Sequence, residues 1–211
     1  MTMYRGQSLE TYLADAAARK PAPGGGSVSA AAGALAAAMS EMSANFTVGN
    51  EKYADVQQEV AAILDELATR RDELLELVDR DVEAYGAVDA AYSMPRESDQ
   101  QKEERRGAIQ QALRKAMAAP FDIMHQCVGV ARLADRLVEI GNRNLITDVG
   151  VSAILAGAAC AAARLNVEVN LKFLKDPDLA RETTAEMDEM SREVHECRER
   201  VCARVADYLS P

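Results

Sequence analysis

The sequence predicts an all-α protein, a bundle of long helices, and three observations lead to this fold class. Residues that favour helices, above all Ala, Glu, Leu and Arg, dominate the composition. Apolar residues recur at helical spacings over long stretches, and no segment shows the apolar/polar alternation of a strand. Because 48% of the 211 residues are hydrophobic, one sizeable core can form. We therefore treat residues 1–211 as a single helical domain.

A glycine-rich loop separates the first two predicted helices. Residues 8–20 are predicted to form a short helix with Ser8 as N-cap. Ser27 is expected to cap a second helix over residues 28–47, which is rich in alanine and carries no charge before Glu41. The loop between them reads Pro21-Ala-Pro23-Gly24-Gly25-Gly26-Ser27.

Two interpretations of this loop stay open on the residues alone. Bare backbone at a helix N-terminus can approach an anionic or polar ligand closely. The same loop also fits a tight connection that leads into a buried helix. It is not a P-loop, because no Gly-Lys-Ser/Thr follows, and no strand precedes it as a dinucleotide fingerprint requires.

Residues 50–94 are predicted to form one long helix with an apolar seam close to a heptad repeat. Arg70 and Asp81 fall in the register of that seam, where a charge is costly unless it is paired or functional. Alternatively the seam drifts around the helix and turns both residues outward. The seam consists of Val56, Val60, Ile63, Leu67, Leu74, Leu77 and Val88.

The second half of the chain starts after Pro95 with a helical pattern over residues 99–140. Pro120 should kink or split that helix near Ala119, and Gly141 is a plausible C-cap. A polar loop over residues 142–148 follows, in which Thr147 or Asp148 is expected to cap the next helix.

Residues 149–174 form a second helix rich in glycine and alanine, and we expect the two Gly/Ala-rich helices to pack together in the middle. Asp176 and Pro177 are predicted to start a last amphipathic helix that ends near residue 209.

Charge and cysteine content exclude several classes of protein. The net charge is −10 and no long basic run is present, which disfavours a nucleic-acid partner. The four cysteines lack a C-x-x-C motif and are expected to be reduced thiols. Residues 1–20 do not resemble a signal peptide, and the uncharged run 21–40 starts with Pro and Gly and would gain little from lipid. We therefore expect a cytoplasmic protein without a membrane partner.

Metal chemistry is not indicated. His125 and His195 are the only histidines, and Asp122-x-x-His125 is a single acid/His pair, whereas a di-metal site in a bundle needs two such motifs. We expect neither a metal nor a cofactor. What remains is a set of polar residues beside helices that are otherwise apolar: Asn45, Thr47, Lys52, Tyr53, Asp81, Tyr85, Asn142, Asn144, Asp148, Asn166 and Asn170.

Several motifs, in order, resemble the formiminotetrahydrofolate cyclodeaminase / methenyltetrahydrofolate cyclohydrolase family. The resemblance is strongest over residues 9–174. The motifs are the glycine loop, Asn45-Phe46-Thr47-Val48-Gly49, Lys52-Tyr53, Asp81-Val-Glu-Ala84-Tyr85, Ala91-Tyr92-Ser-Met-Pro95, Lys102 to Arg105, Ala119-Pro120, Gly141-Asn142-x-Asn144-x-x-x-Asp148-x-Gly150 and Asn166-Val167-x-x-Asn170. Departures from the family pattern at Tyr85, Arg143, Thr147 and Val149 are mild.

The resemblance implies an all-α homodimer that acts on a tetrahydrofolate derivative without a metal. Family members either hydrolyse methenyltetrahydrofolate to 10-formyltetrahydrofolate or close formiminotetrahydrofolate with loss of ammonia. We expect the hydrolysis, because this chain carries no fused formiminotransferase, with the cyclodeaminase reaction as the alternative. A helical dimer that only binds a partner is a further alternative.

The resemblance also implies roles for individual residues. Asp81 and Asp148 are candidates for acid/base catalysis and charge stabilisation, and Lys52 for proton donation or for anchoring a substrate carboxylate. We expect these residues and the glycine loop to form one folate cleft. The implied substrate-binding residues are Gly24, Gly25, Gly26, Ser27, Asn45, Tyr53, Tyr85, Arg105, Asn142 and Asn144.

Overall fold

The computed structural model describes residues 3–211, and over this range the chain is helical and contains no strand. The prediction of an all-α fold is therefore confirmed. Short 3-10 turns at Glu51–Val56 and Arg143–Leu145 precede the third and sixth α-helices. The helices are α1 (Leu9–Ala17), α2 (Gly25–Asn45), α3 (Gln57–Tyr92), α4 (Asp99–Ala116), α5 (Ala118–Ile140), α6 (Ile146–Phe173) and α7 (Pro177–Leu209).

The two Gly/Ala-rich helices, α2 and α6, pack against each other at the centre of the bundle. Helices α3 and α5 also pack on α2, and α5 and α7 pack on α6. Small side chains allow a close crossing, at which the Ser40 hydroxyl donates to Ser152 Oγ and the Ser152 hydroxyl to the Ala36 carbonyl, each at 2.7 Å. The predicted packing of these two helices is confirmed.

The start of α2 differs from the prediction. The helix begins at Gly25 with Gly24 as N-cap, so Ser27 lies inside the first turn and is not the cap. The Ser27 N–H donates to Asp81 Oδ2 at 2.9 Å, and its hydroxyl pairs with the Tyr12 hydroxyl at 3.0 Å. A carboxylate from α3 therefore satisfies a free N–H at the start of α2.

The start of α6 also differs. The helix begins at Ile146, so Thr147 and Asp148 lie within its first turn and neither is its N-cap. Asn142 caps the preceding 3-10 turn, because its Oδ1 accepts from the Asn144 N–H at 3.0 Å. By contrast, the caps predicted at Ser8 and Asp176 are confirmed.

The helix predicted over residues 99–140 is split into α4 and α5 at Met117. Pro120 explains the break, since it has no N–H to offer the Ala116 carbonyl one turn earlier. Gly141 ends α5 as predicted, and its N–H donates to the Leu137 carbonyl at 2.8 Å. A Cβ at Gly141 would lie 2.7 Å from that oxygen, so this position requires glycine for close approach.

The seam of α3 combines both predicted alternatives. Leu67, Leu74, Leu77, Val78 and Val82 are all buried, so the apolar face drifts around the helix. Arg70 and Asp81 nevertheless bond to neighbouring helices: Arg70 Nη1 donates to Gln126 Oε1 at 3.0 Å, and Asp81 accepts from the start of α2. Both charges on the seam are therefore hydrogen-bonded to a neighbouring helix.

Within residues 3–211, the helical stretch Arg143–Phe173 is apolar and long enough to cross a membrane by length and composition alone. A core helix meets the same criterion, and α6 packs against four other helices of the bundle, α2, α4, α5 and α7.

Candidate active site

A cavity of about 590 Å³ opens at the N-terminal end of α2, between the glycine loop, α3, α4 and α6. Its volume lies in the range of small-molecule sites, which are mostly apolar with a few polar groups. The apolar wall includes Tyr85, Val88, Tyr92, Val169 and Phe173, and the polar groups are Asp81, Asn166 and Asn170.

Asp81 is the carboxylate of this cavity. Its burial raises its pKa above the usual value, and the hydrogen bond from the Ser27 N–H opposes part of that rise. Gly26 makes room for the carboxylate, since a Cβ there would lie 2.1 Å from Asp81 Oδ1. A carboxyl group at the wall of a cavity whose pKa is raised above the ordinary aspartate value suits proton transfer.

Two asparagines of α6 line the cavity from the other side. The Asn166 amide donates to the Ala162 carbonyl at 2.9 Å, and the Asn170 amide to the Asn166 carbonyl at 2.8 Å. Asn166 Oδ1 lies against the loop, since a Cβ at Gly25 would meet it at 3.0 Å. Gly25 therefore lets the backbone of α2 approach α6 at the cavity wall.

Arg105 lies at the rim of the cavity and not in its wall. Its Nη2 donates to the Tyr92 carbonyl at 2.8 Å, and its guanidinium lies 5.7 Å from the centroid of the Tyr92 ring. Of the predicted substrate-binding residues, Gly24, Gly25 and Tyr85 line the cavity directly. Gly26 and Ser27 act on it through Asp81.

The remaining predicted residues lie at the opposite end of α2. The 21 residues of this helix span roughly 30 Å. Lys52, Asn45 and Asn144 are exposed there, and Asp148 is half-buried in the first turn of α6. We call this group, with Tyr53 and Asn142, the loop end.

Hydrogen bonds organise the loop end around Asn142. Tyr53 donates its hydroxyl to Asn142 Oδ1 at 3.4 Å and accepts the Arg143 N–H at 3.0 Å. The Asn142 amide donates to the Phe46 carbonyl at 3.1 Å, and its N–H donates to Thr47 Oγ1 at 2.9 Å. The side chain of Asn142 therefore ties this loop to the C-terminal end of α2.

The expected single cleft is not formed within one chain. The glycine loop and Asp81 lie at one end of α2, and Lys52 and the 142–148 loop lie at the other. Sequence order did not reveal this separation. Because α2 and α3 run antiparallel, Asp81 in the later part of α3 lies beside the N-terminus of α2, whereas Asn45 and Lys52 lie near its C-terminus. The catalytic and binding roles of these residues remain predictions.

Several contributors to the site were not predicted from the sequence. Asp79 accepts the N–H groups of Tyr4 and Arg5 and so holds the N-terminal segment against α3. The Tyr12 hydroxyl forms a hydrogen bond with the Ser27 hydroxyl and so helps to hold the first turn of α2 in place. An acidic residue beside the apolar seam residue Val78 is a signal that could have pointed to Asp79. The aromatic wall of the cavity depends on tertiary packing, which no local pattern contains.

Within residues 3–211, no group of three or more His, Cys, Asp or Glu side chains is placed to hold a metal ion. His125 Nε2 lies 3.2 Å from Glu186 on the surface, and its ring packs edge-to-face on Phe121. The four cysteines are free thiols, three of them buried. Metal-free and cofactor-free chemistry remains a prediction.

The fold and the cavity define a class: an all-α protein with a small-molecule site at one end of its central helix pair. Comparison with known sequences identifies the family of the protein. The chain belongs to the formiminotransferase-cyclodeaminase family, whose sequence model matches residues 8–189.

Relatives of two kinds are found. The chain is 36% identical to methenyltetrahydrofolate cyclohydrolase of Methylorubrum extorquens, over 97% of this chain and 98% of that protein. It is 30% identical to formimidoyltransferase-cyclodeaminase of Rattus norvegicus over 84% of this chain, which spans only 32% of the rat protein. The crystal structure of formiminotetrahydrofolate cyclodeaminase from Thermotoga maritima superposes with a TM-score of 0.88 at 32% identity, covering 96% of this chain and 98% of that one.

Proposed function

We propose that this protein is a folate one-carbon enzyme that hydrolyses 5,10-methenyltetrahydrofolate to 10-formyltetrahydrofolate. Similarity to the Methylorubrum extorquens cyclohydrolase along nearly the whole of both chains supports this activity. The structural observation that carries the proposal is the buried carboxylate of Asp81 in the wall of an otherwise apolar cavity.

The cavity suits this substrate chemically. Aromatic and aliphatic side chains can hold a flat pterin ring and its aryl extension, and the amides of Asn166 and Asn170 can meet polar ring edges. The methenyl bridge between N5 and N10 is cationic, so the Asp81 carboxylate attracts it. Because the cavity wall is largely apolar, this attraction is screened less than it would be in water.

The hydrolysis needs one group that moves a proton. Asp81 accepts a proton from water while the water oxygen bonds to the bridging carbon. The bond from that carbon to N5 then breaks as Asp81 returns its proton to N5, and the hydroxyl on the carbon loses its proton to solvent water, which leaves the formyl group on N10 and releases one proton overall. A raised pKa makes Asp81 a stronger base than an ordinary aspartate, which favours the first proton transfer.

The alternative activity is cyclodeamination of formiminotetrahydrofolate. The Thermotoga maritima structure and the rat relative support it, since both carry a cyclodeaminase name. In that reaction N10 attacks the formimino carbon and ammonia leaves, so an acid must protonate the leaving nitrogen. The same carboxylate can serve, and substrate tests must decide between the two activities.

The deciding experiment measures methenyltetrahydrofolate by absorbance and, in parallel, ammonia release from formiminotetrahydrofolate. We expect turnover of the methenyl substrate, and Asp81→Asn should lower it by about 10²–10⁴-fold. The control is Asp122→Asn, an exposed aspartate paired with Arg80 on the surface, which should leave turnover unchanged. A wild-type protein inert toward both substrates would overturn the proposal and favour a non-catalytic helical protein.

We also propose that the protein is a homodimer that acts in the cytoplasm without a cofactor. Exposed apolar side chains form a stripe along the outer side of both central helices, which is unusual for a monomer surface. We call it the α2/α6 face, and its most exposed members are Val28, Leu35, Phe46, Val151, Ile154 and Leu165. Light scattering on the 22.8 kDa chain should give about twice that mass, and a monomer at micromolar concentration would contradict the dimer.

A further inference from the structure

We infer that each active site is completed by a second copy of the chain, whose loop end covers the Asp81 cavity. This inference rests on the proposed function and goes beyond it, since it assigns the two separated groups of polar residues to one site. It is carried by three features: the position of the α2/α6 face, the antiparallel run of its helices, and the charge of the cavity wall.

The α2/α6 face links the two groups of polar residues. On α2 it follows Val28, Leu35 and Phe46 at helical spacing, and on α6 it follows Val151, Ile154 and Leu165. The cavity opens at one end of this face and the loop end lies at the other. The wall of the cavity is also uncovered, since Tyr85, Val169 and Phe173 are each about half exposed.

Two-fold symmetry then determines which ends meet. α2 and α6 run antiparallel, since Ser40 contacts Ser152 while Gly25 lies against Asn166. A two-fold axis perpendicular to the face near Leu35 lays each α2 antiparallel to the α2 of the partner. The face is then covered along its whole length in an isologous contact. The N-terminus of α2 comes to lie beside the C-terminus of the partner's α2, which the helix dipoles also favour.

The charge of the cavity wall indicates what the partner must supply. Among the described residues that line the cavity, none is Lys or Arg, although a folate substrate carries carboxylates on its glutamate tail. Lys52 is exposed at the loop end. Arg105 at the rim is already bound to the Tyr92 carbonyl and stacked on its ring. In the antiparallel dimer, Lys52 of the partner subunit reaches the cavity mouth and provides a second cation. Asn45 and Asn144 of the partner subunit accompany it.

The first test is subunit complementation. Asp81→Asn and Lys52→Ala are made in separate chains with different affinity tags, coexpressed, and purified as heterodimers by both tags. Each homodimer is expected to be impaired. A heterodimer carries one site with both wild-type residues and one site with neither, so it should recover about half of the wild-type turnover. If Asp81 and Lys52 act within one chain, every site has a defect and no turnover is recovered, which overturns the inference.

The second test does not depend on catalysis. Cysteines are placed at Tyr85 in one tagged chain and at Asn144 in the other, and a short bis-maleimide is added to the mixed dimer. We expect a covalent dimer on a denaturing gel, because the two positions are too far apart within one chain to be joined. Each single variant alone controls for the half-buried Cys202. No covalent dimer above these controls overturns the inference, even if the wild-type enzyme is active, and a covalent dimer supports it even if both folate substrates are inert.

Discussion

Gly26 and Asp81 illustrate how the site depends on contacts between single atoms. The carboxylate occupies the space that a side chain at Gly26 would need, and from there it accepts the N–H of Ser27. The glycine is therefore required for close approach and not for an unusual backbone angle. A contact of this kind couples the stability of the start of α2 to the position of the base.

Gly26→Ala should lose both stability and turnover. The added Cβ would lie 2.1 Å from Asp81 Oδ1, so the carboxylate must move and its bond to Ser27 must weaken. We expect the free energy of unfolding in denaturant to fall by about 1–3 kcal/mol. Gly24→Ala is the matched control, because a Cβ there meets nothing within 4 Å, and its unfolding free energy should stay within about 0.5 kcal/mol of wild type. Equal stability of the two variants would contradict the tight contact.

The pKa of Asp81 predicts the acid limb of the pH profile. Burial raises this pKa, so the carboxyl stays protonated to a higher pH than a free aspartate, whose pKa is about 3.9. A base acts only when it is deprotonated. We therefore expect kcat/KM for methenyltetrahydrofolate to fall with decreasing pH, with a midpoint clearly above 3.9.

The control for this profile is Asp122→Asn, which removes a surface carboxylate and should keep the same midpoint. An acid limb at or below the pKa of a free aspartate would show that Asp81 is not the group that titrates.

At the scale of the helices, the crossing of α2 and α6 depends on two buried hydroxyls. Ser40 and Ser152 are fully buried, and their hydrogen bonds run in series to the Ala36 carbonyl. Ser152→Ala leaves the Ser40 hydroxyl without its acceptor in an apolar crossing. The free energy of unfolding should fall by about 1–3 kcal/mol.

A double-mutant cycle measures this coupling. Ser40→Ala with Ser152→Ala leaves no unpaired hydroxyl, so the double variant should be more stable than the sum of the single losses predicts. Additive losses would mean that the two hydroxyls do not act as a unit.

The helices were predictable from the sequence, but some of their ends were not. Apolar spacing and Pro120 were enough to place α3 and to split α4 from α5. The start of α2 was misplaced because Asp81, 54 residues away, accepts the Ser27 N–H in the first turn, and Ser27 is not the cap. The candidate base was identified from its seam position and motif, but its partner depended on tertiary packing that no local pattern contains.

At the scale of the whole molecule, the two sides of the bundle differ in chemistry. On the α5/α7 side, ion pairs such as Arg200–Asp135 and Arg204–Glu139 join the helices in water, where each contributes little stability. The opposite side, the α2/α6 face, exposes apolar side chains. The sequence showed that both central helices are apolar almost all round, but it could not distinguish burial within one chain from burial between two.

If a second copy covers the α2/α6 face, the stability of the protein must depend on its concentration. Dimerisation stabilises the folded chain by mass action, so a hundredfold increase in protein concentration should raise Tm by roughly 3–6 °C. Leu35→Asp places a charge at the centre of the face and should give a monomer whose Tm is independent of concentration. Leu209→Asp is the matched control, because this leucine is equally exposed but lies at the end of α7, and the concentration dependence should persist. A wild-type Tm that does not change with concentration, or a Leu35→Asp protein that remains dimeric, would show that the α2/α6 face is not the interface.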